Sequence, residues 1–242
     1  MDNNSTMSRA DEARYVRMCL LVLNVCPFTL RHVIDDYSLR HDGSLSLYDF
    51  LEKNKHSLFH LYAKRCCCRH LPQNRSTPMT KRQWDLLFIS IPNNPSCQRD
   101  RQMDCPCKYQ ASASITTTDM DVTLCCLVIN NICPGVDTSH IDTIKEIRNN
   151  LIHSTNASLD LRTFNGYWNR VKTSLRLLAQ RVLPTLVMDT MSRITELESR
   201  LMNLDELQQL RNLILDERRI ENIETVGFNN FILKLDKFLL IH

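Results

Sequence analysis

The chain has 242 residues, 43% of them hydrophobic and 24% charged, and a formal net charge of +3. That much apolar material excludes a globally disordered chain, and the length fits one large domain or a domain with an appendage. Four Gly and 8 Pro against many Leu, Arg, Glu, Gln and Met favour helices over sheets, and no apolar run reaches the 18 residues that a membrane span needs.

Residues 1–9 are polar, as a frayed terminus is. From 10 to 36, apolar residues recur at helical spacing: Val16, Leu20 and Leu23, then Leu30, Val33 and Ile34. Pro27 interrupts them and predicts a kink or two abutting helices. Residues 19–28 are mostly apolar, but the run is short, Asn24 breaks it, and it lacks a small-residue cleavage pattern. A signal peptide is therefore not expected. The expected compartment is the cytosol, where the 11 Cys stay thiols or metal ligands rather than disulfides. Arg40-His41-Asp42-Gly43 predicts a turn. Residues 47–64 form a second amphipathic helix, with Phe50, Leu51, Leu58, Leu61 and Tyr62 as its buried stripe.

The texture then changes. Cys66-Cys67-Cys68-Arg69-His70-Leu71-Pro72 opens a loop-rich insert over about 65–118. A short helix over 81–90, around Trp84, is expected inside it. An irregular segment of this length needs its own source of order. Between 64 and 108 stand nine Lys or Arg against three Asp or Glu, a local excess of +6 that suits RNA or another polyanion. Lys64, Arg65, Arg69, Lys81 and Arg82 are the candidate contacts. Cys66, Cys67, Cys68, His70, Cys97, Cys105 and Cys107 supply seven soft or imidazole ligands, where zinc needs four. One residue separates Cys105 from Cys107, and Cys66 from Cys68, tighter than the spacing of a standard finger. Two readings stand side by side: a structural zinc drawn from Cys66, Cys68, His70, Cys105 and Cys107, or reduced thiols packed in place. Cys19, Cys26, Cys125, Cys126 and Cys133 lie on or beside helices and read as small core residues.

Helix returns after Thr118 or Asp119 as a cap, carrying Val122, Leu124, Cys125, Leu127, Val128 and Ile132, and Cys133-Pro134-Gly135 ends it. The next helix starts near Ser139. On it Ile144, Ile147 and Leu151 share a stripe that faces a core, while Asn149 and His153, four apart, share another face. Arg148 stands at the edge between the two. A guanidinium, an amide and an imidazole within one and a half turns suit an anion or a phosphodiester. The same spacing also describes an ordinary solvated face. Ser158 is a candidate cap for a helix over 160–182 that buries Phe164, Trp168, Val171, Leu175 and Leu178. Pro184 marks a break. Residues 186–224 form two further helical segments, split near Asn203, where Asn203 and Glu206 suit a capping box. Leu197, Leu201, Leu204, Leu207, Leu210 and Ile214 follow 3-and-4 spacing, as a packed hairpin or a short coiled coil does. From Asp189 to Glu224 nine acids face five Arg. Residues 225–242 carry no clear pattern.

Arg148-Asn149 followed by His153, on a late helix of an all-α chain, resembles the signature of HEPN domains. The neighbouring blocks extend the likeness: Met120 to Leu124, Asn130-Asn131-Ile132-Cys133-Pro134, Ile144 to His153, then Phe164 and Trp168. Together they resemble the animal branch found in the DAZ-interacting zinc-finger ubiquitin ligase and in immune and apoptotic proteins, over residues 10–182. The resemblance implies an all-α HEPN-like bundle over 10–183, interrupted by the Cys/His insert, with residues 184–224 as added helices. It implies a homodimer whose motif helices face each other across a two-fold axis, with Arg148, Asn149 and His153 as a composite RNA-cleaving site that needs no metal. His153 would move a proton at the 2′-hydroxyl or the leaving oxygen. Arg148 would hold the phosphate and stabilise its developing charge, and Asn149 would orient the phosphate or His153. The chain departs from the branch in having no RING pattern after the helices, so ligase activity is not implied.

Two functions follow as expectations. One is a dimeric RNA-binding module of immune or stress signalling, with metal-independent endoribonuclease activity at Arg148, Asn149 and His153. The other is a non-catalytic adaptor that dimerises through the same helix and recruits a protein partner through its acidic C-terminal helices. A zinc-stabilised interaction module is a third, and no membrane partner is expected.

Overall fold

One helix, Arg9–His41, opens the chain and carries two widened turns. Its parts are α1 (Arg9–Leu20), a π turn (Leu21–Val25), α2 (Cys26–Asp36) and a second π turn (Tyr37–His41). The kink or break expected at Pro27 is replaced by the first π turn. There the Cys26 N–H donates to the Leu21 carbonyl, five residues back. Proline has no N–H to give and its ring crowds the preceding turn; a wider turn just before it accommodates both. The second π turn ends the helix at Gly43, whose φ of +70° suits a residue without a Cβ.

The computed structural model describes residues 9–63, 78–91, 105–154, 156–201, 205, 207–212 and 214. The described residues are mostly helical, with eight α-helices and one two-stranded sheet. They divide into two compact units: Met1–Thr29 with Ser139–His242, and Leu30–Thr138.

The first unit joins α1 and the first π turn to α6 (Thr138–Ile152), α7 (Leu161–Val182) and α8 (Pro184–Ser199). α7 packs on α8 and α1, and α8 packs on the π turn. Val16, Leu20, Ile144, Ile147, Val171, Leu175 and Ile194 are buried, each contributing about 1.5–3 kcal/mol by leaving water. Polar groups inside find partners. The Tyr15 hydroxyl donates to the Leu151 carbonyl at 3.2 Å, and the Thr29 and Thr190 hydroxyls meet at 3.1 Å. Asp160, not Ser158, caps α7, accepting from the N–H groups of Arg162 and Thr163. Phe164 is only half-buried, whereas Trp168 is buried and donates to Glu198 at 2.7 Å. Pro184 starts α8 as its first residue, where its missing N–H costs nothing. Leu207, Leu210 and Ile214 are buried, but Leu201 is exposed and leaves the expected leucine stripe. Asn203, Leu204 and Glu206 lie outside the described residues.

The second unit is built on α3 (Leu47–Tyr62), which Ser46 caps by accepting from the Asp49 N–H. Phe50, Leu51, Leu58, Phe59 and Leu61 form its buried face and Tyr62 is half-buried. α5 (Val122–Ile132) packs on it. Asp121, rather than Thr118 or Asp119, caps α5, because a 3-10 turn over Thr117–Asp119 precedes it.

The helix expected over 81–90 divides in two: α4 (Lys81–Leu87), capped by Thr80 with Gln83 in a capping box, then strand β1 (Phe88–Ser90). β1 pairs antiparallel with β2 (Tyr109–Ala111). β2 docks on α3: Lys55 donates to the Tyr109 carbonyl at 2.8 Å and Gln110 to the Tyr48 hydroxyl at 2.7 Å. Trp84 is fully buried against Tyr62, Phe88, Phe59 and Tyr109. The described part of the insert therefore shares an aromatic core with α3.

Among the described residues one helix, Arg9–His41, is long and apolar enough to cross a membrane, but 67% of its most apolar window is buried inside the protein. That is how a core helix is used.

Candidate functional site

α6 sorts its side chains into three faces. Ile141, Ile144, Ile147 and Leu151 are buried. One flank is tied to α7: Arg170 donates to Glu146 at 2.6 Å, and the Asn150 amide donates to the Tyr167 hydroxyl at 3.2 Å. These two ties, spaced four residues apart on α6, set the rotation of the helix about its own axis. Sequence reasoning missed them, because each needs a partner about 20 residues away. The Arg170 ion pair holds the Glu146 carboxyl below its usual range, chiefly through the hydrogen bond.

On helical spacing His153 falls about 20° from Glu146 and Asn149 about 60° from it on the same side, so both adjoin the flank tied to α7. Asn149 is half-buried and His153 exposed. His153 stands one residue beyond the end of α6, and its N–H still donates to the Asn149 carbonyl at 2.9 Å. The last helical hydrogen bond thus holds the imidazole-bearing residue to the residue four before it. Arg148 lies nearer the core, half-buried, and its Nη1 donates to the Asn149 Oδ1 at 3.3 Å. That bond joins the guanidinium to the Asn149 amide, while its Nε is buried. Arg148, expected at the edge of the face shared by Asn149 and His153, is linked to Asn149 by this bond, although backbone spacing sets the two about 100° apart. Such a set has a guanidinium, an amide and an imidazole, and offers donors to a phosphate. A single copy has one of each, on a shallow face.

The remaining expected contacts fall in the second unit. Lys81 and Arg82 are exposed at the start of α4, and Lys81 forms an ion pair with Asp85 one turn on. Part of the Lys81 charge is therefore already answered. Lys64, Arg65 and Arg69 lie outside the described residues, as do Cys66, Cys68 and His70. Of the expected metal ligands, Cys105 is buried and Cys107 half-buried, on either side of Pro106. The Cys105 Sγ accepts from the Cys107 N–H at 3.4 Å. Among the described residues no three His, Cys, Asp or Glu side chains come together as metal ligands. Cys19, Cys26, Cys125, Cys126 and Cys133 are buried thiols. Burial pushes the Cys133 thiol up to about 12, with the Asp42 carboxylate adding to the effect.

Compared with family models, with curated proteins and with solved structures, the chain matches none.

Proposed function

We propose that the chain is a HEPN-type RNA-binding module that works in the cytosol as a homodimer through the open face of α6. One observation carries the reading. Arg148, Asn149 and His153 occupy one and a half turns at the end of a helix that buries Ile144, Ile147 and Leu151 and is tied to α7 through Glu146 and Asn150. A helix held this firmly gives its remaining polar groups a fixed direction, as a binding site requires. A two-fold axis beside α6 would double the guanidinium and the imidazole and make a phosphodiester site of a shallow face. In such a pair the Arg148 guanidinium takes the phosphate and His153 is the proton carrier.

The test is incubation of the purified chain with single-stranded RNA and a chelator, beside His153→Ala and Arg148→Lys, with sedimentation of each protein. His153 is exposed, so its replacement leaves the fold intact. Concentration-dependent dimerisation with RNA retention supports the reading, and cleavage lost in His153→Ala makes the module an endoribonuclease. A monomer that neither retains nor cuts RNA overturns it.

A second reading, the non-catalytic adaptor, is favoured by the Arg148 guanidinium being partly buried and bonded to Asn149. A dimer that ignores RNA, and that Asn149→Ala dissociates, supports that reading.

A further inference from the structure

Histidines 56 and 60 stand four apart on α3, on the side away from the buried Phe50, Leu51, Leu58 and Phe59. Their Nε2 atoms share a hydrogen bond of 3.3 Å, whose proton a metal would displace, and their rings tilt at 44° to each other. Two imidazole nitrogens bound to one zinc at about 2.0–2.1 Å, at a tetrahedral angle, lie about 3.3–3.4 Å apart. The observed separation is that bite. We infer that His56 and His60 form a two-histidine chelate for a borderline divalent cation of the zinc, nickel or copper class, on the outer face of α3.

Three further observations support it. α3 is rigid where the pair sits, since Leu58 and Phe59 between the two histidines are fully buried. The backbone therefore holds the nitrogens at fixed spacing, and little freedom is lost on binding. Partial burial, with His56 beside it, holds the His60 imidazole below its usual value. His56 is exposed and His60 half-buried, leaving the outer side open to solvent. Among the described residues no third His, Cys, Asp or Glu joins them, and water can complete the coordination shell. This is the arrangement of an open site rather than a closed structural one.

The inference is independent of the RNA reading, which concerns α6. It does not draw on the cysteines of the insert. Zinc titration of the full chain, followed by the ¹⁵N signals of the histidine rings, tests it. The Nε2 signals of His56 and His60 should move together on adding zinc. In His60→Gln the His56 response should require about tenfold more zinc or more, because the second ligand no longer acts from within the chain. Circular dichroism of the variant checks that α3 is intact, and His56→Gln gives the reciprocal measurement. Unmoved ring signals overturn the inference, even if thiols elsewhere take up zinc. So does a His56 response of equal affinity in His60→Gln.

Discussion

Trp84 lies parallel to Tyr62 at a ring separation of 5.0 Å, stacks on Phe88 at 4.2 Å, and meets Tyr109 edge-on at 5.2 Å. Trp84→Ala would remove the shared partner of these rings and should destabilise the second unit by about 3–5 kcal/mol. The indole Nε1 is buried without a hydrogen-bond acceptor, so Trp84→Phe forfeits packing but no bond and should lose clearly less. Denaturant unfolding of the two variants measures the difference. The buried thiols give a second residue-scale outcome. Cys133 stays protonated until about pH 12, against an ordinary 9.0. Its folded value is raised, so its contribution to stability is complete below about pH 9 and is lost as pH rises toward 12. Alkylation at pH 8 should accordingly leave Cys125 and Cys133 untouched in the native protein while half-buried Cys107 reacts. Burial was well legible at this scale: the five helix-borne cysteines expected in the core are buried. The meeting of His56 and His60 was not, although their four-residue spacing on an expected helix was the available signal.

Helices were legible where apolar spacing and caps agree. Periodicity located α3, α5, α6 and α7 within a few residues, because each buries one stripe and is closed by an N-cap side chain or a helix-ending loop. The errors lie where two local signals compete. Asp121 stands three residues before Leu124 and accepts its N–H at 2.6 Å; Thr118 and Asp119 are spent on the preceding 3-10 turn. Asp121→Ala should therefore cost about 1 kcal/mol, while Thr118→Ala should cost little, as measured by thermal unfolding. Ser158 and Asp160 compete in the same way, both being sound caps in isolation. The Asp160 carboxyl sits below its usual range, mainly because the Thr163 hydroxyl and N–H donate to it. A depressed carboxyl adds stability above its unfolded value and loses it as pH falls through its folded value. Acid titration followed by Trp168 fluorescence should show α7 loosening at higher pH in Asp160→Ala than in the native chain. Strand β1 could not be foreseen, since Phe88-Ile89-Ser90 continues a helical pattern and pairs with residues 19 or more positions further on.

The whole molecule takes its first unit from both chain ends and its second from the continuous stretch between them. Amide exchange should sort into two groups, with α3 and α5 protected together and α1, α6, α7 and α8 protected together. Mostly helical architecture was legible from the scarcity of Gly and the apolar spacing. The division into units was not, because it depends on which stripes face one another, and stripes alone carry no address. The candidate site was half legible. Spacing put Asn149 and His153 on one face; the reach of Arg148 and the locking of α6 by Tyr167 and Arg170 needed the three-dimensional contacts. If RNA is the ligand, retention should weaken steeply with salt, and a charge-removing Arg148 variant should reduce that slope by about one counterion for each phosphate it no longer neutralises.

The widened turn at Leu21–Val25 amounts to an α-helix with one residue inserted. Such an insertion adds a residue without rotating the downstream helix, so Cys26 and Thr29 keep the facing that an unbulged helix one residue shorter would give them. The chain therefore has slack of a single residue here. Deletion of half-buried Asn24 should collapse the bulge into regular helix and leave Thr29 opposite Thr190. The same deletion within α7, which has no such reserve, would turn part of its buried face, Val171 to Ala179, toward water.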